Sequence, residues 1–155
     1  MSSLLQRLFV LFLAIGPLKA ELMHVELSVS GLDCISCAQS VDRILKKIKG
    51  VDTASFRTQV AVAILDLKPV NAVTLDQIRD AVKGIGYTPG AAKVTVRGEA
   101  REEGGKWLFR VAGSEAEYRL EIAAGQAVDT GVTSILEGSI AGAAAPLKVA
   151  KIRRE

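Results

Sequence analysis

Cys34 and Cys37 are the only thiols in this 155-residue chain, set two residues apart in the run "GLDCISC" from Gly31 to Cys37. A cysteine pair this close has four uses. It can close as a disulfide, cycle as a redox centre, hold a metal ion between two thiolates, or pack as two small side chains. One pair is too few for a disulfide scaffold, so it reads as a site. Asp33 stands directly before the first cysteine. Other chemistry-bearing residues are sparse. His24 is the single histidine and reads as a surface residue at the start of a strand. No Ser/His/Asp set, phosphate-binding glycine loop or recognisable carboxylate pair is present, and no enzyme is expected.

The elements around the pair decide among these uses. Residues 24–30 alternate, with Val25, Leu27 and Val29 on one side and His24, Glu26, Ser28 and Ser30 on the other, the period of a half-buried strand. Val41, Ile44, Leu45 and Ile48 then recur at helical spacing, with Lys46, Lys47 and Lys49 crowding the expected last turn and Gly50 as the stop. Two strands follow, "VDTASFR" and "QVAVAILDL", with Val60, Val62 and Ile64 on one face of the second and Thr58 and Gln59 in the turn between them. Thr74 and Gln77 form a capping-box pattern at the head of a second helix, whose stripe is Leu75, Ile78, Val82 and Ile85. "YTPGAAKVTV" leads into a further strand. The order is βαββαβ, the ferredoxin-like arrangement, with two helices on one face of an antiparallel sheet.

In that frame Cys34 lies in a loop and Cys37 in the first turn of a helix, where the positive helix end and free N–H groups favour thiolates. Two thiolates suit Cu(I), Hg(II), Zn(II) or Cd(II). A Cys-x-x-Cys beside a helix is also the layout of a thiol–disulfide oxidoreductase, although thioredoxin-type folds need a parallel core. The third option is an interaction module in which the cysteines stay oxidised and the C-terminal part carries the function.

Residues 24–94 resemble the heavy-metal-associated domain family, which includes copper chaperones, the periplasmic mercury-binding protein and the N-terminal domains of metal-pumping P-type ATPases. "GLDCISC" after the first strand and "GIGYTP" after the second helix carry the likeness. The family motif is Gly-Met-x-Cys-x-x-Cys, and Leu32 replaces its Met, a side chain that mostly packs under the loop. The resemblance implies Cys34 and Cys37 as metal ligands, with Zn, Cd, Pb, Hg or Cu(I) as cargo. It implies Asp33 as an added oxygen ligand that tilts the site toward a divalent ion, since oxygen is harder than sulfur. Tyr87 matches a tyrosine that stands close to the cysteines in bacterial copper-binding members, where it shields the ion; a plain rim aromatic is the alternative. A membrane metal transporter or P-type ATPase is the implied partner.

Residues 95–155 lie outside the resemblance. "VTVRGEARE", "KWLFRVAGS", "EYRLEIA", "TSILEGSIAG" and "PLKVAKIRR" are five short strand-like runs broken by Gly, Ser and Ala, the texture of a small, OB-like β-barrel. The fold class is thus α+β: a ferredoxin-like domain over 21–94, then a small all-β barrel over 95–155.

Residues 1–20 read as a signal peptide: Arg7, an apolar run from Leu8 to Ile15, a Gly16–Pro17 break, and Ala20 before the cut. The run is far short of the roughly 20 residues a spanning helix needs. Cleavage removes Arg7 and Lys19, leaving 18 basic residues against 17 acidic ones. A near-neutral, periplasmic or secreted protein is expected, with no nucleic-acid partner.

Overall fold

A computed structural model describes residues 21–32 and 35–155. The leader, Asp33 and Cys34 lie outside the described residues. The first unit contains strand β1 (Glu21–Ser30), helix α1 (Ile35–Lys46), strands β2 (Val51–Arg57) and β3 (Val62–Leu67), helix α2 (Leu75–Gly84) and the first half of strand β4 (Thr88–Glu103). Its strands lie in the order β2-β3-β1-β4, every pairing antiparallel. The expected βαββαβ unit is present.

Alternation sets the core. Val25, Leu27 and Val29 of β1 are buried, as are Val41 and Leu45 of α1 and Leu75, Ile78 and Val82 of α2. The Thr74 hydroxyl accepts from Gln77 N–H at 3.2 Å while Gln77 Oε1 accepts from Thr74 N–H at 3.1 Å, completing the capping box. Two details differ from the sequence reading. Helix α1 ends at Lys46, and bonds from Lys47 N–H to the Ile44 carbonyl and from Ile48 N–H to the Leu45 carbonyl tighten the chain before Gly50. In β3 the core side is Ala63, Leu65 and Leu67; Val62 and Ile64 share the half-exposed side, and Val60 belongs to the 58–61 turn, 63% exposed. Both sides of that strand are apolar, so periodicity alone does not choose between them. The pairing of Leu65 with Val25 does.

The chain passes into the second unit without a linker, because β4 is 16 residues long. The remaining strands are β5 (Lys106–Val111), β6 (Glu117–Glu121), β7 (Thr133–Ile140) and β8 (Leu147–Arg154), one for each of the last four predicted runs; the first run is the second half of β4. β4 pairs with β5 and with β7, β5 with β6, β6 with β8, and β8 with β7. That circuit closes a five-stranded barrel with β6 and β8 parallel and every other pair antiparallel. β7 also covers the edge of β4 that the four-stranded sheet would leave open.

Gly98 is the point of transfer. β1 pairs with β4 as far as Arg97, and β5 takes over that pairing at Gly98. A Cβ at Gly98 would lie 2.0 Å from the Arg110 carbonyl oxygen, so only glycine allows the strands to approach this closely. Ala92, Val94, Val96 and Ala100 of β4 are buried on one face. They join the ferredoxin-like core to Phe109, Leu136, Ile140 and Leu147 of the barrel in one apolar cluster.

Candidate metal centre

Cys37 is the third residue of α1, in the first turn as expected. That turn carries no acidic side chain, so nothing on the helix neutralises the positive end of its dipole there. The amphipathic pattern below the turn explains why the helix sits here. Ala38, Val41 and Leu45 are buried against the sheet, which leaves Cys37 half-buried at the rim.

Cys37 is held in a disulfide. No described cysteine is free. A disulfide sulfur carries no thiolate charge, so Cys37 would have to be reduced before it could act as a metal ligand.

The residues leading into the loop are described. Gly31 has φ +90, a conformation that side chains rarely adopt. A Cβ there would stand 3.9 Å from Cδ1 of Tyr87. The Tyr87 ring therefore packs beside the start of the cysteine loop, bringing together two segments 56 residues apart in the chain. It is half-buried and packs on the core, as does Leu32.

His24 lies elsewhere. It is half-buried on the helix-free side of the sheet, with Nδ1 2.7 Å from Asp66 Oδ1. That bond, with a second from Thr53 to the carboxylate at 2.9 Å, holds Asp66 below its ordinary pKa. Among the described residues no group of three His, Cys, Asp or Glu side chains is placed to hold a metal ion.

Sequence reasoning missed Gly98, the buried Arg79 of α2, and Asn71. Asn71 Nδ2 donates to the carbonyls of Leu22 and Lys68, and its Oδ1 accepts from Val73 N–H, tying the start of β1 to the loop before α2. Arg79 carried a signal: it directly follows Ile78, at the edge of the apolar stripe of its helix.

The fold and the helix-borne cysteine define a class, a ferredoxin-like unit with a cysteine in the first turn of its first helix. Residues 26–88 match the family model for the heavy-metal-associated domain. This segment is a heavy-metal-associated domain; the barrel lies beyond the match. Several solved structures are similar over the same part. A CopZ metallochaperone shares 26% identity, the match spanning 43% of this chain and 97% of that one, with a TM-score of 0.40. The N-terminal domain of PacS from Synechocystis PCC6803 shares 26%, spanning 43% and 91%, TM-score 0.38. A protein studied for crosstalk between Cu(I) and Zn(II) homeostasis shares 29%, spanning 43% and 92%, TM-score 0.39. No curated protein matches this chain.

Proposed function

We propose that this protein binds a soft or borderline heavy-metal ion between the reduced thiolates of Cys34 and Cys37. It is a carrier or sequestering protein rather than an enzyme, exported by its leader with cleavage after Ala20, and it hands its cargo to a membrane transporter of the P-type ATPase kind. The observation that carries the reading is Cys37 in the acid-free first turn of α1, within a segment that matches the heavy-metal-associated domain. Asp33 selects for a divalent ion such as Zn(II), Cd(II) or Pb(II) over Cu(I), and Tyr87 shields the loop. The chain divides into a metal-binding domain over 21–94 and an accessory barrel over 95–155. We read that barrel as OB-type, because its circuit runs first-second-third-fifth-fourth with the third and fifth strands parallel.

The Cys37 disulfide favours one rival, a thiol–disulfide oxidoreductase. The antiparallel surroundings of β1 oppose it, since thioredoxin-type redox sites sit on a parallel core.

Equilibrium dialysis of the reduced protein against Zn(II) and Cu(I), alone and in competition, tests the proposal. Stoichiometric metal that disappears in Cys37→Ser is the expected result. No bound metal after reduction, or disulfide turnover without metal, would overturn it.

A further inference from the structure

A second site lies away from the cysteine loop, where α2 meets the end of the barrel. A cavity of about 540 Å³ opens between them, a size that suits a small molecule. Leu75, Ile140 and Ala143 give it apolar walls.

Its polar walls are unusual. Arg79 is only 3% exposed, yet it makes no ion pair among the described residues. Its one hydrogen bond among the described residues is long, from Nη2 to the Gly90 carbonyl at 3.4 Å. A guanidinium carries five N–H donors and a permanent charge. Burying it without an anion is costly, which is why buried cations are found paired. Tyr118 lines the same cavity from β6, and the charges of Asp76 and Arg79 both act on its hydroxyl. Burial holds that hydroxyl protonated, so it is a donor throughout the neutral range.

The anions that line the cavity do not neutralise Arg79. Glu117 is engaged with Arg101 at 2.9 Å. Asp76 and Glu115 are exposed and make no ion pair among the described residues. Arg119 is exposed as well. The cleft thus presents a buried cation with a neutral donor, and separate carboxylates in contact with water.

We propose that this cleft binds a small zwitterion of the amino-acid class. The ligand carboxylate pairs with the Arg79 guanidinium and accepts from the Tyr118 hydroxyl, the ammonium faces Asp76 or Glu115, and the side chain lies against Leu75, Ile140 and Ala143. The site needs neither the cysteines nor a metal ion.

The test is a ¹H–¹⁵N NMR titration of the protein with leucine, glutamine, acetate and methylamine. The amino acids should shift the amides of Ala116–Arg119 and Ala143–Ala145 saturably, acetate more weakly, and methylamine not at all. Arg79→Met should abolish the shifts. Tyr118→Phe, which keeps the ring, should weaken binding by about tenfold, the value of one hydrogen bond to a charged group. The proposal is overturned if neither amino acid gives saturable shifts, if methylamine matches them, or if both variants bind like the parent. Should Arg79→Met fail to fold, unchanged affinity in Tyr118→Phe alone would overturn the assigned geometry.

Discussion

The same substitution, glycine to alanine, should have opposite effects at two positions of this chain, because the added methyl meets different surroundings. At Gly98 the methyl would stand 2.0 Å from the Arg110 carbonyl oxygen and 2.9 Å from Phe109 Cε1. The oxygen is backbone, held in the β4–β5 ladder, and Phe109 is fully buried, so neither can swing aside. Relief requires β5 to move outward by more than about 1 Å, since carbon and oxygen rest above about 3 Å. Overpacking of this kind costs roughly 2–4 kcal/mol, close to the top of what single substitutions do. For a chain of this size that lowers Tm by roughly 6–14 °C. At Gly84, the last residue of α2, a methyl meets nothing within 4 Å. Alanine there stabilises by up to about 1 kcal/mol, through better helix propensity and a less free unfolded chain. Thermal unfolding followed by circular dichroism gives both values. Because one apolar cluster spans both units, Gly98→Ala should shift a single transition rather than split the melt. A Gly98→Ala protein melting within about 2 °C of the parent would refute the reading of β4 as a strand whose crossover requires glycine.

Further outcomes follow from buried polar groups. Asn71→Ala removes three hydrogen bonds and leaves the Leu22 carbonyl and Val73 N–H without their partner. The cost should be roughly 2–4 kcal/mol by denaturant titration, with Asn71→Asp no better, since a carboxylate cannot donate to those carbonyls. Tyr118 is pushed up to about 12 by burial first and by Asp76 second. Absorbance titration should show one of the two tyrosines ionising near there, a step that Tyr118→Phe removes. The unfolded tyrosine ionises near about 10, so the folded state holds this proton more tightly. Its contribution to stability is therefore complete below that pH and lost as pH rises toward 12. The same pH dependence of stability in the parent and in Tyr118→Phe across that window would contradict the burial.

Much was legible in the sequence because it is local. The cysteine spacing, the period of two in 24–30, the period of 3.6 in both helices and the Thr74–Gln77 capping box are read within a few residues. Each element so marked is present. The last four of the five C-terminal runs became strands for the same reason, and the first continues β4: alternation and glycine breaks mark strands wherever they pair. The place of Cys37 follows from the helix start. The roles of Asp33 and Cys34 rest on the motif and lie outside the described residues.

What the sequence determined by itself, then, is the set of elements and the thiol chemistry they present. Only the tertiary structure decided which strands meet. Periodicity says that β3 has two apolar faces; the partner strand β1 chooses the buried one. A five-strand count does not say that β4 serves both units, that β6 and β8 run parallel, or that Gly98 marks the change of neighbour. Those facts depend on backbone contacts between residues far apart in the chain. The cleft between α2 and the barrel has the same origin. Arg79 is an ordinary helix cation in the sequence, and the tertiary structure makes it a buried charge with no ion pair among the described residues, lining the cleft between α2 and the barrel.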